Sequence, residues 1–168
     1  PLDDGPYDDD PDDYDDDGLP EWTIMVYLAG DNNLESYALG DLNEMEMAGS
    51  TDQINLLVEI YRAHGYSTED GYLTGARRYR VEADSDRHHI NSPVAMDLGE
   101  VDSGSPAAFI DFVTWGATTY PAKNYALIIW NHGWGWTLLP EEGRKGVASD
   151  DHSGNDISIA NGEYETIL

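Results

Sequence analysis

Apolar residues in this 168-residue chain follow two rhythms, short unbroken runs and stripes that repeat every three to four positions. The first run, WTIMVYLAG at 22–30, is rich in β-branched and aromatic residues. Continuous apolarity of this kind predicts a strand covered on both faces, and Gly30 closes it. The rhythm changes in DNNLESYALGDLNEMEMAGS at 31–50, where Leu34, Ala38, Leu42 and Met45 recur at helical spacing. Asn32 with Glu35 three residues on resembles a capping box, and Gly49 supplies a stop. INLLVEIYRA at 54–63 returns to the pattern of a buried strand. GARRYRVEAD at 75–84 alternates instead, which predicts an edge or hairpin strand carrying Arg77, Arg78 and Arg80. Ser105 as N-cap and Pro106 at the first helical position open a second helix, whose stripe is Ala108, Phe112 and Trp115. YALIIWNHG at 125–133 predicts a third buried strand. Strand, helix, strand, excursion, helix, strand is the order of an α/β fold, a mostly parallel sheet with covering helices.

That order puts His132 just past the carboxyl end of a central parallel strand, the edge at which open α/β sheets bind their ligands. Gly30-Asp31-Asn32-Asn33 leaves the first strand at the same edge, so Asp31 and Asn32 are expected to face the same crevice as substrate contacts. A lone histidine at a strand end more often bonds a nearby carbonyl and does nothing else. Here, however, Asn131 and Gly133 flank it in place of apolar packing, and Gly133 lets a backbone N–H approach a ligand closely.

Charge narrows the range of partners. The chain carries 34 acidic against 8 basic residues, a net charge of −26. Such a field repels phosphate backbones and anionic lipid headgroups, so nucleic acid is not an expected partner. No apolar stretch approaches the length that spans a bilayer. Cysteine is absent, which removes disulfides, thiolate metal sites and a cysteine nucleophile from these residues. Ten aspartates and Glu21 crowd into residues 1–21. They repel one another and have little to bury, so the segment is expected to be a disordered acidic linker ahead of one domain over 22–168.

Clustered carboxylates are also hard oxygen ligands, which keeps calcium open for the acidic segment, although DYDDDG lacks the alternating ligands and final Glu of an EF-hand loop. DSDRHH at 84–89 holds ligand-type side chains, but neighbouring histidines diverge and the run reads as a solvated loop. SDDHSGND at 149–156 reads as a polar turn, a second place for calcium, with His152 on its surface. Neither a Ser-His-Asp set with an elbow motif nor a phosphate-cradling glycine loop occurs.

WTIMVYLAGDNNLE at 22–35, DLNEME at 41–46, YPAKNYALIIWNHGWGW at 120–136 and ASDDHSGNDISI at 148–159 follow one another in that order. Together they resemble the amino-terminal half of the clostripain family of cysteine peptidases. The resemblance implies a caspase-like α/β fold, with His132 as the catalytic histidine and Gly133 lending its N–H to an oxyanion hole. It also implies a nucleophilic cysteine, in an Asp-Ala-Cys context, past Leu168. On that reading the chain alone is inactive, and its partner is the cysteine-bearing part of the same precursor. The substrates implied are proteins or peptides cut after Arg or Lys, in an extracellular or cell-surface setting. The chemistry requires no cofactor, and calcium is an optional ligand. Family members mature by cutting themselves after basic residues, and Arg144-Lys145 in the loop TLLPEEGRKG at 137–146 offers such a site. The alternative from another class is a caspase-like scaffold kept as a non-catalytic surface or calcium-binding module.

Overall fold

A computed structural model describes residues 18–68, 70–71, 74–132 and 146–158. Its elements are β1 (Trp22–Leu28), α1 (Glu35–Glu46), β2 (Ile54–Arg62), β3 (Gly75–Arg80), β4 (Val94–Gly99), α2 (Pro106–Thr119), β5 (Asn124–Trp130), β6 (Gly146–Ser149) and β7 (Asp156–Ser158). Among the described residues the main sheet has the order β4-β3-β2-β1-β5, and β6 pairs with β7 in a separate hairpin. β1 runs parallel to β2 and to β5, with Trp22 opposite Ile54 and Asn124, and Leu28 opposite Ile60 and Trp130. β3 is antiparallel to both β2 and β4. The expected α/β class holds, with a mostly parallel half and an antiparallel flank.

β1 and β2 are buried on both faces, as their unbroken apolar runs require, and their alternate residues feed two cores. Val26, Leu28, Val58 and Ile60 pack with Ala38, Leu39 and Leu42 of α1. On the opposite face Met25, Tyr27, Leu57 and Tyr61 pack with Phe109 and Phe112 of α2, joined by Ala148 of β6 and Ile157 of β7. Tyr27 centres this second core: its ring meets Phe109 edge-on at 5.2 Å, and its hydroxyl donates to the Ser103 carbonyl at 2.9 Å. Both helices cover the sheet, one on each side.

Several details differ from the sequence reading. β5 was expected to be a buried central strand, but it lies at the edge of the described sheet, with Tyr125, Leu127 and Ile128 38–49% exposed. Its apolar continuity reports faces that call for cover, whereas its rank in the sheet depends on which strands pair with it. β4 occupies part of the stretch read only as an excursion. At α1 the expected capping box is absent: Asn32 Oδ1 accepts from the Leu34 N–H at 2.9 Å, while Glu35 turns inward to Arg62 Nε at 2.6 Å. The N-cap is Leu34. Gly49 does end the helix region, at φ +63°, where a Cβ would sit 2.3 Å from the Ala83 nitrogen. Ser105 and Pro106 open α2 as expected, but its buried stripe is Phe109, Phe112 and Gly116, not Ala108, Phe112 and Trp115. Residues 1–17 of the acidic segment lie outside the described residues. Pro20 and Glu21, assigned to that linker, accept backbone hydrogen bonds from Lys123 and Asn124 at 3.0 Å each, so the fold begins before Trp22.

The basic residues of β3 are used inside the sheet. Arg78 is buried and pairs with buried Glu59 and with Asp111 of α2, its guanidinium lying over the Trp115 ring at 5.1 Å. Burial pushes the Glu59 carboxyl upward, opposed by hydrogen bonds from Tyr61 and Arg78. Arg77 pairs with Asp97 across the β3–β4 ladder. Removing one partner of a buried pair strands the other charge, which costs more than the pair contributes. Glu59→Ala is therefore expected to lower the unfolding free energy by about 3–5 kcal/mol, as read by chemical denaturation. A loss below roughly 1 kcal/mol would contradict this account of Arg78.

Candidate active site

From β1 the chain passes through α1 to β2 on one side. It later passes through α2, on the other face of the sheet, to β5 on the opposite side of β1. The connections leaving β1 and entering β5 thus diverge at one point, which opens a crevice at the carboxyl ends of these two strands. Residues 30–33 follow β1 at that edge, and Asn131 and His132 follow β5. The structure brings together the two segments that the sequence placed there.

Two side-chain amides hold the edge. Asn131 Nδ2 donates to the carbonyls of Ala29 and Ser149 at 2.9 Å each, and Asn32 Nδ2 donates to the same two carbonyls at 3.0 and 3.2 Å. The ends of β1, β5 and β6 are thereby joined at one place. Both carbonyls lie at strand ends, Ala29 just past β1 and Ser149 the last residue of β6. Gly30 is required beside them, because a Cβ there would meet the Tyr61 carbonyl oxygen at 2.7 Å.

His132 is exposed, with its backbone N–H donating to Asn131 Oδ1. Its imidazole reaches across to the β1–α1 turn, where Nε2 lies 2.6 Å from Asn33 Oδ1. Asn32 and Asn33 therefore point to different tasks. Asn32 is fully buried, with both amide hydrogens and the oxygen engaged by the protein, whereas Asn33 is exposed beside the histidine. Sequence reading named Asn32 as a substrate contact and passed over Asn33. The signal was present in the Asn-Asn pair of the turn, but nothing local distinguishes the residue facing inward from the one facing the crevice.

Asp31 is 5% exposed, and its backbone carbonyl accepts from the Asp151 N–H at 2.9 Å. Burial is the main cause that pushes its carboxyl up to about 6, reinforced by the negative charges of Asp150, Glu100 and Asp151 and opposed by His152. Asp150 is differently placed. Its Oδ1 accepts from the backbone N–H groups of His152 and Ser153, and its Oδ2 from the N–H and hydroxyl of Ser103. That carboxylate organises the β6–β7 turn and ties it to the start of α2. In the 84–89 loop Asp84 and Asp86 accept from the N–H groups two residues on, His89 bonds Asp86, and the Asp84 N–H donates to the Glu46 carbonyl at 2.7 Å. Gly133, Arg144 and Lys145 lie outside the described residues.

The raised Asp31 carboxyl carries a sign that can be checked. Between the ordinary value of 3.8 and about 6 the folded state holds the proton more tightly than the unfolded state, so stability falls as pH rises through that window. Asp31→Asn, which cannot ionise, is expected to raise the unfolding free energy by on the order of 1–3 kcal/mol at pH 7. The gain should vanish below about pH 4, and a pH-independent effect in denaturant titrations would contradict the burial assigned to this carboxylate.

Comparison with known proteins assigns the fold and the family. The chain is 28% identical over 123 residues to clostripain of Hathewaya histolytica, an alignment covering 67% of this chain and 23% of that protein. It thus spans about a quarter of that relative's length. A secreted C11 cysteine protease from Bacteroides thetaiotaomicron, described in complex with an irreversible peptide inhibitor, superposes with a TM-score of 0.65 at 26% identity. That match covers 88% of this chain and 39% of the other. A B. fragilis cysteine protease superposes with a TM-score of 0.55 at 25% identity, covering 75% of this chain and 100% of that one. The fold is thus that of the caspase-like cysteine proteases. The model of the clostripain family matches residues 26–164, most of the chain, and the protein belongs to that family.

Proposed function

We propose that this chain is the histidine-bearing part of an extracellular or cell-surface cysteine endopeptidase that cleaves after arginine or lysine, with the nucleophilic cysteine supplied from sequence past Leu168. The observation that carries the reading is the position of His132. It is an exposed imidazole at the switch point between β1 and β5, with its main chain held by Asn131 and its ring by Asn33. Family membership and the secreted relative support the class of chemistry and the setting. In the proposed reaction a thiolate attacks the scissile carbonyl, and the imidazole delivers the proton to the leaving amine. The Gly133 N–H is assigned to the oxyanion. Asp31 is assigned to substrate binding through the field it shares with Glu100, Asp150 and Asp151, which draws cations to this edge, while the acidic residue that selects basic side chains is assigned, by family resemblance, to the stretch beside the cysteine. Asn32 serves substrate binding by shaping the turn that carries Asp31.

Two outcomes test this reading. In the complete cysteine-bearing protein, His132→Ala is expected to reduce kcat/KM on arginyl and lysyl peptides by on the order of a thousandfold or more. The thermal midpoint should hold, because an exposed side chain contributes little packing. Unchanged turnover would remove His132 from the chemistry. For Arg144 and Lys145 we propose a self-processing site. Intact-mass spectrometry of the matured protein is then expected to show a break after one of them, lost when both are changed to alanine. A fully active, uncut protein would contradict that assignment.

A further inference from the structure

The contact between Asn33 and His132 spans 99 residues of sequence and links the side chains of the β1–α1 turn and of the segment after β5 at the crevice. Several observations give it meaning beyond a surface hydrogen bond. The main chain of His132 is already fixed, because Asn131 accepts from its N–H and is itself anchored on Ala29 and Ser149. What remains free is rotation of the ring, and among the described residues Asn33 is the partner hydrogen-bonded to that ring. Asn33 in turn is carried by a turn whose preceding residue, Asn32, is buried and bonded on both sides. The acceptor is thus mounted on a rigid support. An amide oxygen can only accept, so Nε2 must carry the proton and Nδ1 is left with the lone pair.

We infer that Asn33 is a positioning residue of the catalytic histidine: it fixes the ring orientation and the Nε2–H tautomer, so that Nδ1 is the nitrogen that handles protons. The inference rests on the proposed role of His132. In the acylation step the proton of the cysteine S–H moves to Nδ1 and the sulfur forms a bond to the scissile carbonyl carbon. The same proton then passes to the amine nitrogen as the C–N bond breaks. Nε2 keeps its own proton on Asn33 throughout. A neutral amide suits this cycle, since it holds the tautomer without the added pull toward imidazolium that a carboxylate would exert.

The test uses the complete cysteine-bearing protein and an arginyl peptide substrate, with His132→Ala as reference. Asn33→Ala is expected to lower kcat by roughly ten- to a hundredfold while KM changes by less than about threefold, the pattern of a misplaced catalytic group. Asn33→Asp keeps an oxygen facing Nε2 but makes it anionic. It is expected to recover much of the lost turnover and to move the acidic limb of the pH profile to higher pH, because the charge favours imidazolium and Nδ1 must be unprotonated to take the thiol proton. Among the described residues, the other titratable groups around this edge, Asp31, Glu35 with its partner Arg62, Glu100, Asp150, Asp151 and His152, are unchanged in both variants, so the shift reports position 33. Circular dichroism and the thermal midpoint establish that both variants are folded. If His132→Ala is inactive while Asn33→Ala has normal kcat, or if folded Ala and Asp variants lose activity equally with an unshifted profile, the positioning role is overturned and the reading of His132 stands. If His132→Ala retains full activity, the reading of His132 itself fails.

Discussion

The site depends on one shared constraint, two asparagine amides donating to the same two carbonyls. Asn32 from the β1–α1 turn and Asn131 from the end of β5 both bond Ala29 and Ser149. A backbone carbonyl has two lone pairs, so each can serve both amides, and the result is a closed joint among three strand ends. Each bond contributes only about 0.5–1.5 kcal/mol net, but breaking one leaves a polar group unsatisfied in a mostly buried place. The joint sets the separation of the two loops, and that separation is what permits Asn33 and His132 to meet. Order in the crevice is thus inherited from strand ends and not from the exposed side chains themselves.

A second constraint is the allocation of a small supply of positive charge. Of 8 basic residues, Arg62, Arg77, Arg78 and Arg80 sit on β2 and β3, bonded to Glu35, Asp97, Glu59 with Asp111, and Asn55. Among the described residues, little cationic charge is left to offset the carboxylates around the crevice. The buried pairs also commit β2, β3 and α2 to one arrangement, since an alternative packing would strand an ion in the core. The same acidic excess that argues against nucleic acid and anionic lipid leaves a negative edge among the described residues, on which the proposed preference for basic side chains draws.

Sequence revealed the fold where local pattern and final environment coincide. β1 and β2 are continuous apolar runs and are covered on both faces, and Gly49 ends the α1 region at a positive φ that glycine accepts readily. It was misleading where the environment is set by distant pairing. β5 shares the apolar pattern of β1, yet it stands at the edge of the described sheet, and β4 owes its existence to β3 more than to its own six residues. Glu35 matched a capping box by spacing, but a buried Arg62 27 residues away offered it a stronger partner. The place of His132 at the crevice was legible because a strand end and the crevice rule converge on it, while its proposed role rests on the family resemblance. Asn33 was not, because its significance lies in a contact with no local signature.

On the proposed function, the scissile bond lies at the edge between β1 and β5. The most direct measurement is a crystal structure of the complete cysteine-bearing protein reacted with a peptide electrophile that ends in arginine. The account predicts an adduct on the cysteine at this edge, with His132 Nδ1 within hydrogen-bond reach of the sulfur or the reacting group, about 2.6–3.2 Å. It also predicts Asn33 still on Nε2 and the arginine side chain lodged in the crevice at this edge. An adduct formed elsewhere, or one at this edge with the His132 ring turned away from both the sulfur and Asn33, would contradict it.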